Sequence, residues 1–209
     1  MSALRTPGLL LALLAFGACG TLPPYSDIRE QPLQGLSSVK VRGAVHEGMD
    51  LTRNDPSPTG ETAEVVDRLS SWAIEFERSM GQGWTASFAV EARRYEFEQT
   101  FPDIRANQLR GGVRRYFGDR ALTAFACVEG VYGTGFDFGE NAGYEGESYL
   151  GWAAGGGLNL ALNEEFSFEM VVLYEGMPDT KAVDFEGGPT VATFNASGLV
   201  AYLAFGWHF

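Results

Sequence analysis

The chain has 209 residues, with 15 Lys plus Arg against 27 Asp plus Glu and a formal net charge of -12. That balance argues against nucleic-acid binding, because a phosphate backbone needs a cationic footprint. With 27 Gly, 13% aromatic and 45% hydrophobic residues it is neither wholly disordered nor a coiled coil, and two Cys and two His supply neither a disulfide framework nor an all-protein zinc site, so no cofactor or metal is expected.

Residues 1–20 carry Arg5, an apolar run from Leu9 to Phe16, and then the small residues Gly17, Ala18, Cys19 and Gly20. This is the layout of a secretory signal rather than a spanning helix. After it, no uninterrupted apolar run reaches about 18 residues, so any membrane insertion must use strands. Phe16-Gly17-Ala18-Cys19 resembles a bacterial lipobox. The resemblance implies a signal peptide over 1–18 and acylation of Cys19, and acyl chains strengthen membrane attachment by about 0.8 kcal/mol per buried CH₂. Ordinary cleavage after Gly20 is the other reading, because Ala18-Cys19-Gly20 is also small-x-small. In the resembling lipoproteins, Gly20 rather than Asp after the Cys implies sorting to the outer membrane. Residues 19–36, with Pro23, Pro24 and Pro32, are expected to form a periplasmic tether, and 37–209 the remaining domain.

From Ser37 onward apolar residues alternate at period two, in segments longer than ordinary globular strands. Eight strands are predicted, over 37–47, 69–80, 84–98, 104–117, 121–135, 147–162, 165–176 and 195–209. In the seventh, Phe166, Phe168, Met170, Val172 and Tyr174 share a face; in the eighth, Leu199, Ala201, Leu203, Phe205, Trp207 and Phe209 do. Gly81-Gln82-Gly83, Gly118-Asp119-Arg120 and Asn163-Glu164 supply tight hairpin chemistry. The connections 48–68, 99–103, 136–146 and 177–194 are mostly longer. Short turns alternating with long loops suit a transmembrane barrel with both termini in the periplasm, and an even strand count lets the first and last strands pair and removes both sheet edges.

The faces opposite the apolar stripes hold Lys40, Arg42, His46, Glu75, Glu77, Glu91, Arg93, Gln108, Arg110, Arg114, Glu129, Glu169 and Glu175. A soluble lipocalin-like binder would put these charges outside, whereas a membrane barrel puts them inside. Strand lengths and aromatic residues near strand ends, among them Trp72, Trp84, Tyr132, Trp152, Tyr174 and Trp207, favour the membrane case. The lipocalin Gly-x-Trp signature is absent.

The ending Tyr202-Leu203-Ala204-Phe205-Gly206-Trp207-His208-Phe209 resembles the C-terminal signal read by the barrel-assembly machinery, with Tyr202, Trp207 and Phe209 in the signal positions. Tyr149 to Leu160, followed by Asn163-Glu164, resembles a hairpin of the small OmpA/OmpX-type outer-membrane barrels. The resemblance implies an all-β, eight-stranded, antiparallel up-and-down transmembrane β-barrel in a bacterial outer membrane. The expected partners are outer-membrane lipids, lipopolysaccharide and the assembly machinery, with a monomeric chain and no further domain after the barrel.

Eight strands leave room for side chains but not for a wide channel. Arg42, Glu75, Glu77, Glu91, Arg93, Arg110, Arg114, Glu129 and Glu169 are therefore expected to form a lumen charge network, with Arg93, Arg110 and Arg114 meeting Glu75, Glu77, Glu91 or Glu129. The expected role is structural or loop-mediated interaction at the cell surface. A small pore is the alternative, and a lipid-modifying enzyme or a lipocalin-like binder is disfavoured further. Acyl hydrolysis would need His46 to converge with Glu47, Asp50 and Ser70 or Ser71. Cys127 reads as a small packing residue. The long loops are acidic, with Asp50, Asp55, Glu61, Glu64, Asp67, Asp137, Glu140, Glu145, Asp179, Asp184 and Glu186, but show no cation-loop spacing.

Overall fold

The computed structural model describes residues 37–54, 62–97, 104–117, 121–137, 144–184, 190–195 and 197–209. Cys19, the leader and the tether lie outside the described residues, as does the 118–120 turn. The side chains of His46, Glu47, Asp50, Asp55, Glu61, Glu64, Asp67, Glu140, Glu145, Asp184 and Glu186 also lie outside them.

The described residues form eleven strands: β1 Ser37–Asn54, β2 Thr62–Gly81, β3 Trp84–Phe97, β4 Ile104–Phe117, β5 Leu122–Asp137, β6 Tyr144–Gly146, β7 Tyr149–Ala161, β8 Phe166–Gly176, β9 Thr180–Asp184, β10 Thr190–Asn195 and β11 Gly198–His208. All pair antiparallel in one closed sheet. Around the lower ring the order is β1, β2, β3, β4, β5, β7, β8, β11. At the loop end β6, β9 and β10 take the places of β7, β8 and β11, closing β5 back onto β1. Eight strands thus cross the wall, three of them interrupted near one level.

The interruption has a local cause. Pro178 has no N–H for the ladder. Ser197 Oγ instead accepts from the Met177 N–H at 2.9 Å and donates to the Met177 carbonyl at 3.0 Å, tying the breaks after β8 and before β11 together.

Three long connections differ from the sequence-based expectation. β1 and β2 remain paired to Arg53↔Thr62, so most of 48–68 is strand, and 136–146 and 177–194 contain β6, β9 and β10. Outside a bilayer both faces of a strand meet water, so alternation fades while backbone pairing continues.

At the other end the connections are tight. Gly81, Gln82 and Gly83 turn through φ of 90°, 53° and 76°. Asn163 Oδ1 accepts from the N–H groups of Glu165 and Phe166 at 2.9 and 2.7 Å. Ser37 and Phe209 exchange backbone hydrogen bonds of 3.1 and 2.9 Å beside these turns, closing the ring where the chain enters and leaves it. Among the described residues the β1–β11 ladder ends at Gly43↔Leu203, and β1 is paired on that side again only at Thr52↔Asn195 of β10. Beside this parting of the strands lies a mainly apolar cleft of about 310 Å³ that includes Ala44, Met170, Ala201 and Leu203.

Candidate functional site

Wall polarity follows from strand parity. Outward positions are apolar: Phe88 is 52% exposed, Leu203 53% and Phe205 48%. Inward positions are ionic: Arg110 and Arg114 are each 1% exposed and Glu129 2%. This is the reverse of a water-borne carrier. An outward apolar wall with no open edge is what a bilayer requires. Aromatic residues border the wall at both ends, with Trp72, Tyr132, Trp152 and Tyr174 toward the long connections and Trp84, Phe117, Trp207 and Phe209 toward the tight turns.

The lumen is built from one to four side chains per strand. β1 supplies Lys40 and Arg42, β2 Glu75 and Glu77, β3 Glu91 and Arg93, and β4 Gln108, Arg110, Arg114 and Tyr116. β5 adds Glu129, β7 Asn159, β8 Glu169 and Glu175, and β11 Tyr202. Every one of these side chains is buried.

Near the tight turns, Lys40 Nζ donates to Glu77 and Glu169, both at 2.6 Å. Arg114 Nη1 lies 3.1 Å from each of the same two carboxylates. The Tyr116 hydroxyl donates to Glu77 at 3.0 Å and Glu169 at 3.1 Å, and Asn159 Nδ2 to Glu169 at 2.7 Å.

A second tier lies above. Arg93 grips Glu175 and also donates Nε to Glu91 at 2.8 Å. Arg110 donates Nε to Glu129 at 2.8 Å and Nη1 to Glu175 at 2.6 Å. The Tyr202 hydroxyl donates to Glu175 at 2.8 Å and accepts from Arg93 and, at 3.2 Å, from Arg110. Glu75 joins the tiers, meeting Arg42 at 2.9 Å and Arg114 at 2.7 Å.

Chemically this is a seal. Among the described lumen residues five cations, Lys40, Arg42, Arg93, Arg110 and Arg114, face six carboxylates, Glu75, Glu77, Glu91, Glu129, Glu169 and Glu175. Tyrosine hydroxyls and an amide donate to the carboxylates, which offsets part of their desolvation. Arginine ring contacts tighten the packing: Arg42 Cζ lies 5.0 Å from the Tyr202 ring centroid and Arg114 Cζ 5.4 Å from that of Phe125.

Tyr202 is the residue whose lumen role sequence reading passed over. Its place in the C-terminal ending suggests only an assembly signal, yet the ring is 1% exposed at the centre of the network, while Trp207 and Phe209 point outward at 51% and 55%. The available signal was its parity, opposite to Leu203 and Phe205. Tyr116 and Asn159 were missed for the same reason: neutral side chains do not stand out in a charge pattern. Sequence reading also left unpaired His208, whose Nε2 lies 2.7 Å from Ser167 Oγ at the terminal end of the barrel. Both residues are buried there. Cys127 is buried against the lumen side of β5, and no group of three or more metal-ligating side chains occurs among the described residues.

No family model matches the chain, and no curated protein matches it. Solved structures do. The chain resembles the outer membrane protein OprG from Pseudomonas aeruginosa with a TM-score of 0.64 at 17% identity, over 84% of this chain and 96% of that one. It resembles the outer membrane protein AlkL, determined in lipid bilayers, with a TM-score of 0.56 at 13% identity, over 91% and 96%. It resembles Neisserial surface protein A with a TM-score of 0.50 at 13% identity, over 84% and 98%. Closure, strand count and the outward apolar wall together make this a bilayer-spanning, eight-stranded β-barrel with the fold of the small bacterial outer-membrane barrels.

Proposed function

We propose that the protein is an integral outer-membrane surface barrel whose lumen is a structural plug and whose function lies in its extracellular extension. The observation that carries this reading is the ion-paired column from Lys40 to Tyr202, in which Arg42, Arg93, Arg110 and Arg114 are each at most 3% exposed. A conducting path would need hydrated side chains along the axis; here cations and carboxylates are in direct contact. Outside the bilayer, β1 and β2 continue as a paired hairpin, and β6, β9 and β10 extend the wall beside them. The connections beyond this raised rim are acidic in sequence, which fits the display of a surface for a partner or ligand. Acylation of Cys19 would add a second attachment on the periplasmic side. We assign the barrel no catalytic step.

Planar-bilayer recording tests the reading. The wild-type barrel is expected to show no sustained conductance, while Arg110→Ala with Arg114→Ala opens intermittent conductance and lowers the temperature at which heat-modifiable gel mobility is lost. Sustained wild-type conductance, unchanged by those substitutions, would reject the plug.

A further inference from the structure

The seam between the first and last strands carries a mismatch of register. Below, β1 and β11 pair from Ser38↔His208 to Gly43↔Leu203; above, β1 pairs with β10 from Thr52↔Asn195. Between these anchors β1 advances nine residues, from 43 to 52, whereas the facing chain advances eight, from 203 to 195. The neighbour on its other side repeats the discrepancy. From Leu203↔Met170 to Phe194↔Thr180 the β11–β10 chain advances nine residues and the β8–β9 chain ten. The β11–β10 chain is thus one residue short of both its neighbours over the same rise.

The two neighbours dispose of the surplus residue differently. On the β8 side the ladder breaks only between Glu175 and Thr180, around Pro178. On the β1 side the parting is longer: eight positions, 44–51, stand against seven, 196–202, and no pair joins them among the described residues. Both edges keep their outer partners, Ala44 to Glu47 with Ser71 to Arg68, and Gly198 to Tyr202 with Glu175 to Val171. They are formed strands that face each other without a ladder. The parting begins beside Trp72, the partner of Gly43, so the freed backbone groups lie from the aromatic border outward, where water and headgroups can satisfy them. The cleft there takes in residues of both faces of the wall, Ala44 and Tyr202 from the inner, Met170 and Leu203 from the outer.

We propose that this seam is a two-state strap, which zips upward in the register of the lower ladder, from Ala44↔Tyr202 to Gly48↔Gly198, and parts again. The register of the β10 ladder cannot run down instead, because it would set inward Tyr202 beside Val45, a position of the opposite parity. Zipping therefore leaves the surplus residue as a bulge on β1 above Gly48. It gains ladder hydrogen bonds over 44–48 and closes the cleft; the bulge opposes it, and so does the loss of the water and headgroups that satisfy the parted edges. Tyr202 faces the lumen in both states, so the device works independently of the plug.

The test is disulfide cross-linking of the full chain in lipid bilayers, in a Cys127→Ser background and read by peptide mass mapping. Val41→Cys with Phe205→Cys marks direct partners and serves as the reference. Val45→Cys with Ala201→Cys lies four residues further along each strand, in the same phase of the ladder, and comes within disulfide reach only when the seam is zipped. A zipped state populated at roughly 0.1–10% cross-links about tenfold to a thousandfold more slowly than the reference, but to completion. One alanine inserted after Ala196 removes the deficit and is expected to bring the rate up to that of the reference. Hydrogen exchange over 44–48, faster than over 38–42 in the unaltered chain and slowed by the insertion, gives the same reading without cysteines. Heat-modifiable mobility reports folding in every case. A Val45/Ala201 pair that never cross-links, one that matches the reference without the insertion, or rates that the insertion leaves unchanged in a folded barrel would overturn the two-state seam.

Discussion

Arg93 and Glu175 meet across the axis of the barrel, from strands β3 and β8 on opposite sides of the ring, through paired hydrogen bonds of 2.6 and 2.7 Å. The contact makes the lumen a cross-brace. Strand pairing fixes neighbours around the wall, while this pair fixes the diameter. Arg42 and Glu129 span the ring from β1 to β5 in a second, looser brace at 3.5 Å.

Removing one end of such a brace leaves the other charge buried. Arg93→Met removes the bidentate partner of Glu175, leaving it Arg110 and Tyr202, and weakens Glu91, and truncating one partner of a buried pair costs about 3 to 5 kcal/mol. We expect a loss of that size in urea unfolding from lipid or micelles. Arg93→Met combined with Glu175→Leu should cost clearly less than the single change, because one charge of each sign leaves together and Arg110 keeps Glu129 and Glu91. A double variant as damaged as the sum of its singles would show that the brace contributes through packing rather than pairing.

A second expectation concerns Gly133 and Tyr149, direct partners on β5 and β7. The Tyr149 ring lies over the glycine so closely that a Cβ there would fall 2.1 Å from a ring carbon. Gln108 Nε2 donates to the Tyr149 hydroxyl at 2.7 Å and pins the ring. Gly133→Ala should therefore destabilise by about 1 to 3 kcal/mol, the usual cost of overpacking. Tyr149→Ala in the same chain should remove most of that extra cost, and a thermal unfolding cycle of the two changes would measure the coupling.

How much of this was legible beforehand depends on which side of the wall a residue faces. The alternation from Phe166 to Tyr174 and from Leu199 to Phe209 announced strands, because a bilayer enforces period two over the whole crossing. Opposite parity puts Arg93, Arg110 and Arg114 on one side of the wall with Glu75, Glu77, Glu91 and Glu129, but the network expected from it left out Lys40 and Glu175. What parity could not give was the partner across the axis: Arg93 opposite Glu175 depends on ring order and stagger, which no single strand encodes. The extension of β1 to Asn54 and β2 back to Thr62 was hidden for the converse reason. There the solvent is the same on both faces.

The tight turn gives a third expectation. Gly83 has φ of 76°, and an added Cβ would lie 2.9 Å from the Tyr116 carbonyl oxygen. Gly83→Ala should cost about 1 to 2 kcal/mol from left-handed backbone strain alone, more with the close approach. Gln82 already carries a Cβ at φ of 53°, so Gln82→Ala should stay within about 0.5 kcal/mol. Equal effects at the two positions in a urea midpoint comparison would contradict this account.

The four tryptophans give the last expectation, because they sit in two planes. Trp72 and Trp152 border the apolar wall on the side of the long connections, and Trp84 and Trp207 border it on the side of the tight turns; all are between 44% and 60% exposed. Interfacial rings belong at headgroup depth, not at the bilayer centre. Four single-tryptophan variants, with the others changed to Phe, should be quenched more strongly by lipids brominated near the glycerol than by lipids brominated near the chain ends. A soluble quencher added only outside sealed vesicles, to barrels inserted in one direction, should reach Trp72 and Trp152 together or Trp84 and Trp207 together. Strong quenching of Trp72 by chain-end bromines would mean that the barrel sits deeper in the bilayer than its two aromatic borders imply.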